Sequence, residues 1–177
     1  MKLATWNVNS LSVRLPQVLD WLAANPVDVL ALQELKLTDD KFPAAAFEEA
    51  GWKAQWFGQK TYNGVALISR TEGTGVVKNI PGFEDDMSRV ITASYGDLRV
   101  VGAYFPNGQA PDSDKFAYKM RWLDALRDWL RPSWHNTPGW CSWATTTSPL
   151  TFWMSGTRWP SRRPSTARRM SARNCRP

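Results

Sequence analysis

The chain's chemistry can be built around Glu34. It ends the stretch Val27-Asp28-Val29-Leu30-Ala31-Leu32-Gln33-Glu34, a short apolar run with its β-branched residues at the start. That pattern predicts a strand buried on both faces. Gln33 and Glu34 then stand where a buried strand leaves its sheet. A carboxylate there is costly to desolvate unless something pairs with it. A hard divalent cation such as Mg²⁺, which takes oxygen ligands, is one such partner. The alternative is that Glu34 only opens a solvated loop, as polar residues after strands commonly do.

The elements before Glu34 bear on that choice. Lys2-Leu3-Ala4-Thr5-Trp6-Asn7 predicts a strand stopping at Asn7. Asn9-Ser10 supplies a turn or cap, and Val13, Leu15, Val18, Leu19 and Leu22 form an apolar stripe at helical spacing. Pro26 ends that helix near Asn25. With the strand at 27–33 this makes a β-α-β unit, which favours two parallel neighbouring strands. Asn7 and Glu34 then share the C-terminal edge of one sheet, where open α/β sheets bind ligands.

Further along, Pro43 opens a short helix over 43–50, and 52–57 predicts a strand. Tyr62-Asn63-Gly64 is a turn before a buried strand, Val65-Ala66-Leu67-Ile68-Ser69. Residues 73–80 can form another. The runs 89–95 and 98–104 flank Gly96-Asp97, a two-residue hairpin signal. The second run enters Phe105-Pro106-Asn107-Gly108, a turn presenting Tyr104 and Asn107 at a sheet edge. Ser113 caps a helix over 114–130 with Phe116, Met120, Leu123, Leu126 and Leu130 as its expected buried stripe. Trp6, Trp21, Trp52 and Trp56 are expected in the core. There is no internal repeat.

The 177 residues fit one domain or a fragment of a larger one. The N-terminus lacks a signal-peptide layout and no apolar run is long enough to span a bilayer. Cys141 and Cys175 are the only cysteines, which excludes a disulfide framework or a CxxC metal site and makes a reducing cytoplasm the expected location. The net charge of +6 invites a nucleic-acid partner, but its distribution removes that inference. Residues 1–131 carry a net −1, whereas 132–177 hold seven Arg and no acidic residue.

Four segments, Trp6-Asn7-Val8-Asn9, Leu32-Gln33-Glu34-Leu35-Lys36, Tyr62-Asn63-Gly64-Val65-Ala66 and Tyr104-Phe105-Pro106-Asn107-Gly108, occur in this order. Together they resemble the exonuclease III family of DNA-repair nucleases, within the endonuclease/exonuclease/phosphatase superfamily. The resemblance covers residues 1 to about 131. It implies an α+β fold, a deoxyribonuclease I-like four-layer α/β/β/α sandwich, present here as roughly the N-terminal half. It implies Mg²⁺ or Mn²⁺ as cofactor, double-stranded and abasic-site DNA as partner, no membrane association and a monomer. By resemblance Glu34 binds metal with Asn7 organising the site, and Tyr104 contacts the target phosphate as a catalytic residue. Tyr62, Gly64, Arg89 and Asn107 are implied DNA contacts. The residue types suit phosphodiester hydrolysis: a metal polarises a phosphate oxygen, a phenol donates to it, and a carboxylate or His activates water. Taken alone, Tyr104 could simply end an amphipathic strand, and Asn7 and Asn107 could serve local turns.

After Arg131 the chain leaves the family pattern. Residues 132–177 contain five Trp, both Cys and the sole histidine, His135. The strand and Gly-Asp-(Phe/Tyr)-Asn-Ile-Ala-Pro motif expected next are missing, with the catalytic aspartate and asparagine they carry, as is a later Asp-His pair. The genetic code suggests a cause. Read from each third codon base, Trp140 to Leu150 permits Val-Leu-Leu-Gly-Asp-Tyr-Asn-Ile-Ala-Pro, the missing strand and motif. Three consecutive threonines, Thr145, Thr146 and Thr147, fall where Asp-Tyr-Asn belongs. The expectation is therefore an N-terminal domain part over 1–131 and a frameshifted, disordered Arg/Trp-rich tail over 132–177. Such a chain is expected to be inactive, to leave the inner face of its first sheet partly uncovered, and to aggregate. The rivals are a non-catalytic DNA-binding fragment using the basic tail and a phosphatase of the same superfamily.

Overall fold

The computed structural model describes residues 1–136, 140–145 and 152–154, with side chains through Arg131. The first sheet is built from β1 (Leu3–Asn7), β2 (Val29–Gln33), β3 (Lys53–Phe57) and β4 (Val65–Ser69), in the order β1-β2-β4-β3. Helix α1 (Leu11–Ala24) crosses between β1 and β2, which pair in parallel with Asn7 opposite Gln33. The β-α-β unit therefore forms, and both strands end at the same edge. Helix α2 (Ala44–Glu49) leads into β3, and β4 runs antiparallel to both of its neighbours.

The second sheet contains β5 (Thr74–Lys78), β6 (Val90–Tyr95), β7 (Leu98–Tyr104), β8 (Trp140–Thr145) and β9 (Phe152–Met154), in sequential order. β6 and β7 pair from Tyr95 opposite Leu98 to Val90 opposite Ala103, across the expected Gly96-Asp97 turn. Helix α3 (Asp114–Asn136) joins β7 to its parallel neighbour β8. The span expected as an aberrant tail thus supplies the last turn of α3 and the short strands β8 and β9. Its remaining residues, including Thr146 and Thr147, lie outside the described residues.

Three apolar clusters define four layers. Val8, Leu11, Val18, Leu22, Phe47 and Trp52 pack α1 and α2 on the outer face of the first sheet. Val29, Ala31, Val65 and Leu67 of the first sheet meet Ile91, Ala93, Val100 and Tyr104 of the second. Val90, Val101 and Ala103 bury the outer face of the second sheet against Trp122, Leu126 and Leu130 of α3. Helices thus cover both outer faces of two apposed sheets, as the α/β/β/α expectation required. Gly102 lets the sheets approach, since a Cβ there would stand 3.2 Å from Leu67 Cδ2.

Three expectations need correction. The inner face of the first sheet is not left bare: Val65 and Leu67 are fully buried beneath β6 and β7. Val13 is 65% exposed, and the stripe of α1 is Leu11, Val18 and Leu22 with Leu15 and Leu19 half-buried against the same core. On α3, Phe116 and Met120 are exposed, and Trp122 takes the central buried position. A stripe drawn from aliphatic spacing passed over this Trp, whose large surface yields more on burial than the thioether of Met120. Of the four tryptophans expected inside, Trp52 is buried; Trp6, Trp21 and Trp56 are half-buried against the same core.

Candidate active site at the rim between the sheets

Glu34 directly follows β2, and its backbone turns into the left-handed region at φ 57. Asn9 (φ 45), Ser10 (φ 92) and Lys36 (φ 57) are also left-handed. Such residues are held only where their surroundings over-determine them, and they gather at functional sites. Here the surroundings are backbone pairs between the two loops: Ser10 N–H donates to Glu34 O at 2.7 Å and Leu11 N–H to Leu35 O at 3.0 Å. From the other side, Leu35 N–H donates to Gly64 O at 3.2 Å. Gly64 has φ +84, and a Cβ there would press to 2.9 Å from Leu35 Cβ, so only glycine supports the Glu34 loop from below.

The side chains of Asn7, Glu34 and Tyr104 meet at this rim. Asn7 Nδ2 donates to Glu34 Oε1 at 2.7 Å, and Asn7 Oδ1 accepts the Asn9 N–H at 3.1 Å. The amide is thereby oriented by its own turn and still serves the carboxylate. The Tyr104 side chain, at the end of β7, faces the same carboxylate closely enough for each group to shift the ionisation of the other. Lys36 Nζ lies 3.2 Å from Glu34 Oε2 and also donates to Asn9 Oδ1.

Burial pushes the Glu34 carboxyl up, but the hydrogen bonds from Asn7, Tyr104 and Lys36 and the charge of Lys36 together leave it below its ordinary value. The carboxylate is ionised at neutral pH. Tyr104 moves the opposite way. Burial, the hydrogen bond to Glu34 and the negative charge of Glu34 all raise it, against a smaller lowering by Arg89. The phenol stays protonated and available as a donor.

Arg89 lies behind Tyr104. Its guanidinium carbon is 5.2 Å from the Tyr104 ring centre, and Nη1 donates to Tyr104 O at 3.3 Å. The other expected contacts are more dispersed. Tyr62 is 69% exposed in the turn before β4. Asn107 is exposed, its Oδ1 accepting the Gln109 N–H at 3.0 Å in a local turn. No described hydrogen bond joins either residue to Glu34. Gly64 is buried under Leu35 and presents no side chain. Lys36 and Asn9 stand in the motif segments, but the sequence assigns them no site role. Their spacing carries no periodic signal, and their contact depends on two left-handed loops closing on one another.

The oxygen donors at this rim are the Glu34 carboxylate and Asn7 Oδ1. Among the described residues no group of three His, Cys, Asp or Glu side chains could hold a metal ion. One carboxylate suffices for a hard cation when waters and substrate phosphate complete its shell. The donor set therefore fits a cation shared with a phosphorylated substrate, and does not form an all-protein cage. The backbone register sets Thr145, at the end of β8, opposite Tyr104. The chain position where the shifted frame permits aspartate thus reaches the same rim.

Comparisons with known proteins bear on the family and the fold. Residues 4–162 match the profile of the Endonuclease/Exonuclease/phosphatase family. Exodeoxyribonuclease III of Haemophilus influenzae is 32% identical over 136 residues, covering 73% of this chain and 51% of that protein. The DNA repair nuclease APEX1 of Danio rerio is 37% identical over 137 residues, covering 73% of this chain and 44% of its own length. The chain thus spans about half the length of the curated relatives it matches. Among solved structures, the 3′ phosphatase NExo from Neisseria bound to product DNA hairpin superposes with TM-score 0.79 at 49% identity, over 81% of this chain and 56% of that one.

Proposed function

Because the chain belongs to the Endonuclease/Exonuclease/phosphatase family, we propose that it is the N-terminal portion of a metal-dependent DNA phosphodiesterase. Its work would be 3′-to-5′ exonucleolytic removal and incision beside abasic sites. The observation carrying this is the meeting of Glu34 and Tyr104 at one rim, in a chain whose relatives are named as exodeoxyribonuclease III and a DNA repair nuclease. The partner is double-stranded DNA, including duplexes with abasic sites, and the protein acts as a monomer in the cytoplasm. No helix among the described residues is long and apolar enough to cross a membrane.

Each residue has a part. Glu34, with Asn7 orienting it, holds the divalent cation, Mg²⁺ or Mn²⁺. When bound, that cation supplies Lewis-acid polarisation of a phosphate oxygen. Tyr104 keeps its proton and donates it as a hydrogen bond to the anionic phosphate, whose charge grows toward the transition state. Arg89 adds positive charge behind the phenol. Tyr62 and Asn107, on loops at the sheet edges, contact the DNA backbone, while Gly64, buried under Leu35, supports the Glu34 loop from below.

The active product is the one read in frame through the region after Arg131. Residues 132–177 contain no Asp or Glu, so they bring no second carboxylate to the rim. Removing members of a catalytic set costs several orders of magnitude, and the chain as written is therefore inactive. The test compares this chain with a frame-restored gene product on a 3′-recessed duplex and on an abasic-site duplex, with and without Mg²⁺. Metal-dependent cleavage by the restored product alone is expected. Cleavage by neither would overturn the nuclease reading; cleavage by both would overturn the frameshift. The phosphatase reading is favoured by the described activity of the Neisseria structure. A duplex ending in a 3′-phosphate separates it, because a phosphatase releases inorganic phosphate and leaves the strand length unchanged.

A further inference from the structure

We infer that Tyr118 and Asp85 are positioning residues that hold the Arg89 guanidinium beside Tyr104 to receive a phosphate oxygen of DNA. The inference rests on the phosphodiesterase reading and adds two residues that lie outside the rim.

Arg89 precedes β6 and is wedged between two phenol rings. Its guanidinium carbon is 5.2 Å from the Tyr104 ring centre and 5.8 Å from that of Tyr118 on α3. Among the described residues it enters no ion pair: the four present join Lys36 to Glu34, Lys78 to Asp39, and Arg127 to Asp124 and Asp128. Its Nε is buried without a hydrogen-bond partner. A partly buried cation with no counterion is costly unless its surroundings fix it for a purpose.

The carboxylate of Asp85, four positions before Arg89 in the chain, is engaged elsewhere. Asp85 Oδ1 accepts the Met87 N–H at 3.0 Å, and Asp85 Oδ2 accepts the Tyr118 hydroxyl at 2.8 Å. The loop is pinned by Asn79, whose Nδ2 donates to Asp85 O at 2.8 Å. The carboxylate is thus used to orient Tyr118, and Tyr118 in turn walls one side of the guanidinium. Arg89 is left held between the two rings, with no carboxylate paired to it among the described residues, beside the Tyr104 phenol. A guanidinium in this state suits a phosphate, because its planar fork matches phosphate oxygens and little freedom remains to be lost.

The test uses the full 177-residue chain, a fluorescent blunt duplex, and a metal-free buffer. Arg89→Ala is expected to lower the slope of log affinity against log salt by about one unit, the signature of one lost phosphate contact. Tyr118→Phe, which keeps the ring and removes the hydroxyl, is expected to weaken binding about 3- to 10-fold, the worth of one hydrogen bond. In the Arg89→Ala background Tyr118→Phe should have no further effect. Equal losses in both backgrounds would overturn the inference, because a merely structural hydroxyl acts independently of Arg89. If the unmodified chain fails to bind duplex DNA, the DNA contact of Arg89 in this chain is what fails, and the nuclease reading is decided separately by the frame-restored product. The positioning claim is then decided by the NMR resonance of Arg89 Nε–Hε. Slow exchange, with a shift on adding inorganic phosphate that Tyr118→Phe abolishes, supports it; a resonance indifferent to Tyr118→Phe overturns it.

Discussion

Glu34 and Tyr104 face each other across the seam between two sheets, and each shifts the ionisation of the other. Glu34 follows the last residue of β2 in the first sheet, and Tyr104 ends β7 in the second. They are 70 positions apart in the chain. The contact exists because both strands terminate at the same edge of the sandwich, and it couples the ionisation of the two groups.

That coupling predicts a titration change. Tyr104→Phe removes a hydroxyl that helps to lower Glu34, so the Glu34 carboxyl should move up toward its ordinary value. Lys36→Ala should move it the same way by removing both a hydrogen bond and a positive charge. Carbon-detected NMR titration of the Glu34 carboxyl reads both shifts. A midpoint unmoved in either variant would contradict the contacts described.

Stability should follow pH in a definite direction. Glu34 is lower in the folded chain than in the unfolded one, so the unfolded state binds the proton more readily. Its contribution is complete above the ordinary glutamate value of about 4.3 and is lost as pH falls through the lower folded value. Urea midpoints measured from pH 6 down to pH 3 should fall more steeply for the unmodified chain than for Glu34→Gln.

The corrected stripe of α3 predicts unequal mutations. Trp122→Ala empties the centre of the outer cluster and should cost about 3–5 kcal/mol. Phe116→Ser changes an exposed residue of the same helix and should stay within about 0.5 kcal/mol. Chemical denaturation gives both values. A large cost at Phe116 would restore the stripe drawn from spacing.

Gly64→Ala should be destabilising by at least about 1 kcal/mol, because alanine meets both a left-handed backbone and Leu35. The strain should propagate to the Glu34 loop, visible as chemical-shift changes at Leu35 and Glu34. Gly82→Ala is the control: its φ of +79 is similar, but a Cβ there meets nothing within 4 Å. It should cost less and leave Glu34 unmoved.

In the frame-restored product, removing divalent metal with a chelator should abolish cleavage, and excess Mg²⁺ should restore it. Glu34→Gln should lower cleavage by about 100-fold or more even at saturating Mg²⁺, since a carboxylate ligand is lost. Persistence of cleavage in the chelator would remove the metal from the proposal.

Much of this protein was legible in one dimension. The fully apolar run of β2, the Pro26 stop, the Gly96-Asp97 turn and the alternation of helix and strand are local signals. They act through backbone preferences and hydrophobic period, which need no distant partner. They placed Asn7 and Glu34 on one edge because a parallel β-α-β crossover leaves little choice. The motif order named the residues of the rim, and the codon pattern after Arg131 is information that only a sequence holds. Tertiary structure decided what the side chains do there. Whether Tyr104 reaches Glu34 depends on how two sheets are apposed, and burial at that seam sets their opposite shifts. The parts of Lys36, Tyr118 and Asp85 follow from left-handed loops and a helix packed on the second sheet. Such contacts join residues far apart in the chain, and no local spacing encodes them.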